Sequence, residues 1–252
     1  MQNKNNLAYF ILILTTIFWS GNFIVGKAAS TYDIPPFSLN FYRWFFAGLI
    51  LFPFTIKELI AKKEYILENI GFFTILGITS ITIFNSIVYY SLYYTQVISG
   101  ILMISTIPVW IIFISSILNI EKTNIFQIIG VIFSLTGVIF IITKADLEII
   151  KNLDFNKGDL SMVVAMFSWA VYSALLKRKK YEISQVTLLQ VVIITGLIFL
   201  TPIYFIEMYM GNVIVLGIPF VLTLTYVVFF PGLASFFFWI KGISIIGANR
   251  AG

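Results

Sequence analysis

Polar and aromatic side chains recur at helical spacing within long apolar stretches of this sequence. In "IFWSGNFIVGK" (17–27), Trp19 and Asn22 stand three residues apart, so both lie on one face of a helix with about 3.6 residues per turn. An indole stacks on flat solutes, and an amide supplies a donor and an acceptor. The pair therefore predicts contacts to a small polar or amphipathic molecule. Alternatively, Asn22 bonds a neighbouring helix across the small residues Gly21 and Gly26.

Two further sets extend this candidate binding surface. Asn85, Tyr89 and Tyr93 recur every four residues, which draws one stripe along a helix. Aromatic belts at membrane interfaces account for some tyrosines, but Asn85 lies too deep in its apolar run for that explanation. Trp169 and Tyr172 repeat the spacing of the first pair. We expect a pathway built from both sets to bring them face to face.

Small polar residues accompany proline in two apolar runs. Ser105 lies before Pro108, and Ser235 follows Pro231. Proline removes one backbone hydrogen bond and frees a carbonyl. A kinked helix with small residues can open a gate or coordinate a substrate, so both serines are candidate substrate contacts. Close packing between helices is the alternative.

Two charged residues border the apolar runs. Arg43 lies near the start of the second run, where snorkelling to the interface or pairing with a helix end is favoured over binding an anionic substrate group. Glu121 follows the fourth run, and we expect it to cap a helix or to pair near the cytoplasmic surface. Both are therefore predicted as interfacial or structural residues, as are Pro108 and Pro231.

Several function classes are disfavoured. The sequence has no cysteine and no histidine, which removes thiolate and imidazole nucleophiles, Cys/His metal sites and the usual general base. No nucleophile with a base, and no carboxylate pair, falls within the apolar runs. We predict no catalytic residue, no metal and no cofactor. The formal net charge of +5 does not indicate nucleic acid, because the basic residues flank apolar runs and form no stripe.

The composition indicates an integral membrane protein. The chain is 60% hydrophobic and 11% charged, against about 25% charged in soluble domains. A hydrocarbon core of about 30 Å needs about 20 apolar residues at helical rise. Eight runs meet that length, at residues 7–27, 37–56, 70–94, 97–119, 125–143, 160–176, 186–206 and 214–240.

The basic residues predict the orientation of these spans. With a cytoplasmic amino terminus, eleven Lys and Arg fall on the inner side and five on the outer side, in accord with the positive-inside rule. The inner group includes the run 177–180, whereas Lys144 and Lys151 are on the outer side. We therefore predict a multi-pass protein of the cytoplasmic (inner or plasma) membrane, with the lipid bilayer as its surroundings.

The sequence also contains a candidate internal repeat. Alignment of residues 17–27 with residues 167–177 pairs Trp19 with Trp169, and Lys27 with Lys177, at an offset of 150. Five spans separate the two copies, and an odd number inverts their direction across the membrane. Inverted repeats are typical of secondary transporters, which bind substrate between the halves. Chance similarity of two apolar helices is the alternative.

Longer segments resemble the EamA family of the drug/metabolite transporter superfamily. The resemblance covers nearly the whole chain and rests on "FWSGNFIVGKA" (18–28), "PPFSLNFYRWFFAGLILFPF" (35–54), "STIPVWIIFISSILNIEK" (105–122), "FQIIGVIFSLTGVIFI" (126–141) and "KGDLSMVVAMFSWAVYSALLKR" (157–178). It implies an all-α membrane protein of ten helices in two inverted five-helix repeats, with both termini cytoplasmic. The repeats would span 1–145 and 157–252, and this chain would hold eight helices and the start of a ninth.

The family resemblance and the polar residues together predict a secondary transporter of small metabolites. Its cavity would be lined by helices one, three, four, six and eight, with access alternating between the two sides. Aromatic walls with uncharged polar groups suit amino acids, their derivatives or nucleoside-like solutes. A lipid scramblase or an assembly subunit is the alternative. The oligomeric state is left open between monomer and homodimer.

Overall fold

The regular structure is helical throughout the part of the chain that the computed structural model describes, residues 2–143 and 156–252. The predicted repeat boundary between 145 and 157, together with Lys144 and Lys151, lies outside the described residues. Before that boundary the elements are α1 (Gln2–Thr31), α2 (Pro36–Ala61), α3 (Lys63–Glu68), α4 (Ile70–Gly77), the π-helical segment π1 (Ile78–Phe84), α5 (Asn85–Tyr94), α6 (Val97–Ile104), α7 (Ile107–Ile117) and α8 (Ile125–Thr143).

The second half repeats this pattern in shorter form. Its elements are α9 (Lys157–Arg178), α10 (Gln185–Tyr209), α11 (Ile218–Val227), the π-helical segment π2 (Val228–Ala234), α12 (Ser235–Ile246) and α13 (Ala248–Ala251). Asn156 starts α9 with a capping box, in which its side chain accepts from the Asp159 amide at 3.1 Å and the Asp159 carboxylate accepts from the Asn156 amide at 2.9 Å. These bonds satisfy amides that the first turn of a helix leaves unpaired.

The predicted spans correspond to helices. Six helical stretches of the described residues are long and apolar enough to cross a membrane, which confirms a polytopic helical bundle. The predicted span 70–94 is the continuous stretch Ile70–Tyr94. The span 97–119 differs, because it is divided into α6 and α7. Pro108 lies in the first turn of α7, where a missing amide costs nothing.

The two π-helical segments lie in the same register of the two halves. π1 and π2 each contain seven residues, and their first residues, Ile78 and Val228, are 150 positions apart. A π turn leaves a backbone carbonyl displaced from its usual amide partner. The residue after each segment donates to such a carbonyl: Asn85 Nδ2 to the Ser80 oxygen at 2.6 Å, and Ser235 Oγ to the Phe230 oxygen at 3.0 Å. The two segments therefore share the same distortion and the same side-chain hydrogen bond.

The helices α2 and α10 run antiparallel, as reciprocal caps at their ends show. Glu207, near the end of α10, accepts from the Ser38 amide at 2.6 Å and from the Ser38 hydroxyl at 2.7 Å at the start of α2. Glu58, near the end of α2, accepts from the Ser184 amide at 2.8 Å at the start of α10 and also bonds Thr187. Corresponding helices of the two halves thus point in opposite directions, as inverted repeats require.

Glycines bring the two halves into close contact beside π1. A Cβ on Gly77 would lie 2.5 Å from the Gly196 amide nitrogen, and a Cβ on Gly196 would lie 2.5 Å from the Cβ of Ile81. Thr82 Oγ1 donates to the Gly196 carbonyl at 2.8 Å. Small residues allow such backbone approach between membrane helices, so this contact fixes α4 and π1 against α10.

Candidate functional site

A small closed cavity lies beside the predicted binding residues. Its volume is about 30 Å³, and its lining residues are Trp19, Asn22, Phe23, Arg43, Phe84, Asn85, Val88, Ile104 and Ile107. A single water molecule needs about 10–15 Å³ of such volume. The structure is therefore a closed conformation, with room for water but not for a metabolite.

The position of the cavity corrects one expectation. Its lining comes from α1, α2, π1, α5, α6 and α7, all of the first half, whereas we expected helices six and eight to contribute. Trp169, Tyr172 and Ser235 do not line it, nor do Tyr89 and Ser105. The second half instead covers the cavity through its aromatic side chains.

A hydrogen-bonded network joins four polar residues at this place. Arg43 Nη1 donates to Asn85 Oδ1 at 2.8 Å and to Tyr89 Oη at 2.7 Å. Tyr89 Oη in turn donates to Asn22 Oδ1 at 2.8 Å. The network connects α2, α5 and α1, so a change at one polar residue reaches the other two helices.

Arg43 does not reach the interface as expected. Its side chain is fully buried, with a relative exposure of 0%, and its Nη1 atom is bonded to Asn85 and Tyr89. Snorkelling needs an open route from the helix to the headgroups. Here Trp44 covers the guanidinium, whose central carbon is 4.8 Å from the ring centroid.

Trp19 and Trp169 meet across the two halves, as the repeat predicted. Their ring centroids are 5.0 Å apart in an edge-to-face arrangement. Trp239 lies 5.2 Å from Trp19, and Phe84 lies 4.5 Å from Trp169. Aromatic pairs at such distances attract each other beyond their buried area, so these rings close the cavity on its second-half side.

A second aromatic group surrounds Phe236 of α12. The centroids of Trp44, Trp169 and Tyr172 lie 4.6, 5.1 and 6.1 Å from that of Phe236. The indole nitrogens of Trp44 and Trp169 and the hydroxyl of Tyr172 are buried and have no partner among the described residues. Unpaired buried donors are costly, and these come from both halves.

The remaining predicted residues have structural contacts in this conformation. Ser105 lies in the break between α6 and α7 and is partly exposed. Pro231 lies inside π2, and Ser235 bonds the Phe230 carbonyl. Glu121 caps α13, accepting from the amides of Ala248 and Asn249 at 3.2 and 2.9 Å.

Sequence reasoning missed the central place of Trp44 and Trp239. Trp239 is 5% exposed, and its indole donates to Ser173 Oγ at 3.1 Å. Trp44 adjoins Arg43, and that adjacency was the one signal that could have drawn attention to it. Tryptophan is common at membrane interfaces, so sequence position alone does not separate the two environments.

Hydrogen bonds among α1, α5 and α9 hold one end of the bundle together. Lys27 Nζ donates to the carbonyls of Leu92 and Thr95 at 2.7 and 3.0 Å, where the end of α5 leaves carbonyls unpaired. Thr95 Oγ1 bonds the carboxylate of Asp159 in α9. Tyr93 Oη donates to the Ile34 carbonyl. The end of α1, the end of α5 and the start of α9 are thereby tied together.

A larger cleft, of about 400 Å³, opens between the ends of α2, α5 and α10. Its walls include Phe37, Tyr90, Tyr94 and Glu207. Of the predicted binding surface, Tyr93 alone lines this cleft. Within residues 2–143 and 156–252, no group of three or more acidic side chains is placed to hold a metal ion. The closed central cavity is therefore the candidate site.

These features define a class: a polytopic helical membrane protein whose oppositely directed halves close over a small cavity. The chain belongs to the EamA-like transporter family, whose sequence profile matches residues 6–143 and 156–252. This family is part of the drug/metabolite transporter superfamily, so the family resemblance is confirmed. The protein is accordingly a membrane transporter by family.

Individual relatives agree with this assignment. The chain is 26% identical over 245 residues to the uncharacterized transporter YyaM of Bacillus subtilis (strain 168), covering 96% of this chain and 79% of that protein. It is 28% identical over 202 residues to an uncharacterized transporter of Archaeoglobus fulgidus, with coverages of 79% and 67%. A solved crystal structure superposes with a TM-score of 0.68 at 18% identity, covering 97% of this chain and 84% of that one, which shows the fold.

Proposed function

We propose that this protein is a secondary transporter that moves small metabolites across the cytoplasmic membrane by alternating access. The amino terminus is cytoplasmic in this proposal, in keeping with the distribution of Lys and Arg. The substrate binds between the halves, where Trp19, which lines the cavity together with Asn22, packs against Trp169 of the second half. The substrate makes these contacts when the halves part.

One observation carries the proposal: buried donors from both halves lack partners in the closed conformation. Trp44 Nε1 belongs to the first half, and Trp169 Nε1 and Tyr172 Oη belong to the second half. A buried donor without an acceptor costs about 1–3 kcal/mol relative to a paired one. Separation of the halves lets water or substrate satisfy these groups. The unpaired donors therefore raise the free energy of the closed conformation and favour its opening.

The walls of the site support an amphipathic substrate. Indole and phenyl rings supply flat apolar surfaces, while Asn22 and Asn85 supply amide donors and acceptors,. Amino acids, their derivatives and nucleoside-like solutes combine a ring or an apolar body with such polar groups. Trp19 is the proposed stacking surface, because it lines the cavity and contacts Trp169 and Trp239 at once.

Substrate counterflow tests the proposal. Purified protein in liposomes preloaded with one unlabelled solute should accumulate the same labelled solute, and a panel of amino acids and nucleosides covers the proposed class. Trp19→Ala should reduce counterflow at least about tenfold by removing the stacking surface. Trp110→Ala is the matched control, because Trp110 packs against Phe167 and does not line the cavity. Equal counterflow in both variants would contradict the proposed site.

A further inference from the structure

Only one of the three guanidinium nitrogens of Arg43 is hydrogen-bonded within the described residues. Its five N–H groups lie on three nitrogens, and Nη1 makes the two bonds to Asn85 and Tyr89. Nε and Nη2 are buried and have no partner among the described residues. Three N–H groups of one charged side chain are therefore unsatisfied in the centre of the protein.

No carboxylate of the described residues bonds this cation. Glu58, Glu121, Asp159 and Glu207 each accept bonds at helix ends. The other described acidic residues are exposed, namely Asp33, Glu64, Glu68 and Glu182. A buried charge without a counter-charge is strongly disfavoured. An anionic ligand that enters the site would supply the counter-charge that Arg43 lacks.

The two unused nitrogens form one edge of the guanidinium plane. Nε–H and one Nη2–H point in parallel along that edge, while Nη1 lies on the opposite side. This edge matches the two oxygens of a carboxylate in a bidentate pair. Asn85 and Tyr89 hold the group from behind, so its orientation is set before a ligand binds.

The free edge faces the second half of the protein. A Cβ built on Gly232 of π2 would lie 3.5 Å from Arg43 Nε. Glycine leaves this space without a side chain, and Arg43 lines the same cavity as Trp19 and Asn22. Movement of π2 away from Arg43 would therefore expose the free edge to the binding site.

We propose that Arg43 is the anchor for a carboxylate group of the transported solute, held by Nε and Nη2. This inference rests on the proposed transport function and narrows its substrate class to organic anions and zwitterions with a carboxylate. The aromatic rings around the cavity receive the apolar body of the same solute. A nucleoside, which has no carboxylate, falls outside the class.

A matched pair of probes tests the proposal. 3-Phenylpropionate and 3-phenylpropanamide have the same shape and differ in charge, and their binding to the full chain in detergent is followed by tryptophan fluorescence. The wild type should bind the carboxylate at least about tenfold more tightly than the amide. Arg43→Gln should reduce this ratio to below about twofold while amide binding persists. A wild type that binds both equally, or neither, overturns the proposal.

Two further variants keep the test decisive if Arg43→Gln does not fold. Asn85→Asp places a carboxylate where Arg43 Nη1 is now bonded at 2.8 Å, so it neutralises the cation without removing it and should also abolish the preference. Lys157→Gln removes a cation that lies 3.6 Å above the Tyr94 ring, and it should retain the preference. Loss of preference in Lys157→Gln, or its survival in Asn85→Asp, would contradict the anchor.

Transport of the same probes separates this inference from the proposed function. Counterflow of the amide and the carboxylate at equal rates would leave the transport function standing and remove only the role of Arg43. Counterflow of carboxylates that Arg43→Gln abolishes would support both. Absence of counterflow for every solute, with carboxylate binding intact, would retain the anchor and contradict transport.

Discussion

Asn85 and Ser235 hold the same position in the two halves, 150 residues apart, and each donates its side chain to the carbonyl five residues earlier. Each residue follows a seven-residue π-helical segment. π turns are rare and frequently mark functional sites. The two halves thus share a distortion next to the cavity, and we expect these segments to change shape as the halves part.

Asn85 should contribute more to the stability of the protein than Ser235. Asn85→Ala leaves both the Ser80 carbonyl and Arg43 Nη1 short of a partner, at a cost of about 1–3 kcal/mol for each group. Ser235→Ala removes only the bond to the Phe230 carbonyl. The melting temperature in detergent should therefore fall further for Asn85→Ala than for Ser235→Ala. Equal shifts would show that the Arg43 contact contributes nothing.

The reciprocal caps of α2 and α10 should stabilise the contact between the halves. Glu207→Gln keeps the shape but removes a charge that accepts from the Ser38 amide and hydroxyl, and bonds of this charged kind are worth about 1.5–3 kcal/mol. We expect a melting temperature lower by about 5 °C. Glu182→Gln is the control, since its ion pair with Lys62 is exposed and 3.7 Å long, and it should leave the melting temperature unchanged. Equal melting temperatures of the two variants would show that the Glu207 cap does not stabilise the protein.

The glycine contact beside π1 should not tolerate a methyl group. Gly77→Ala places Cβ 2.5 Å from the Gly196 amide nitrogen, a backbone atom that cannot move aside, and overpacking costs about 1–3 kcal/mol or more. Gly71→Ala lies on the same helix and meets nothing within 4 Å, so it should be neutral or slightly stabilising. Thermal unfolding of the two variants compares them directly. A stable Gly77→Ala protein would mean that the halves are not packed as described.

The absence of cysteine from the sequence allows the orientation to be tested by single replacements. Asn212 and Lys180 are exposed and lie in successive loops at opposite ends of α10. A membrane-impermeant maleimide applied to intact cells should label Asn212→Cys and leave Lys180→Cys unlabelled until the membrane is broken. The reverse pattern would place the amino terminus outside.

The spans were predictable where apolar runs end at polar residues. Residues 70–94 and 125–143 agree with the helical stretches at both ends, because Asn69 and Asn124 stop the apolar runs. α1 continues to Thr31, beyond the predicted end at Lys27, because the ammonium of Lys27 is satisfied by two carbonyls. Proline does not predict the π-helical segments, because π2 contains a proline and π1 does not.

The candidate site was predictable in its residues and less so in its arrangement. Trp19, Asn22 and Asn85 line one cavity, as their depth and spacing suggested. The burial of Arg43 depends on Asn85 and Tyr89, which are 42 and 46 residues away. Such long-range pairing is not encoded in local spacing, and the rule that charges lie at interfaces favoured the wrong environment.

Reagent access to the cavity tests alternating access most directly. Val88 is buried and lines the cavity, and Val88→Cys is a single thiol in a chain without others. A membrane-impermeant quaternary ammonium thiol reagent should modify it in both right-side-out and inside-out vesicles, whereas Phe133→Cys on the exposed face of α8 should remain unmodified. Modification of Val88→Cys from one side only, or from neither, would contradict a cavity that opens to each side in turn.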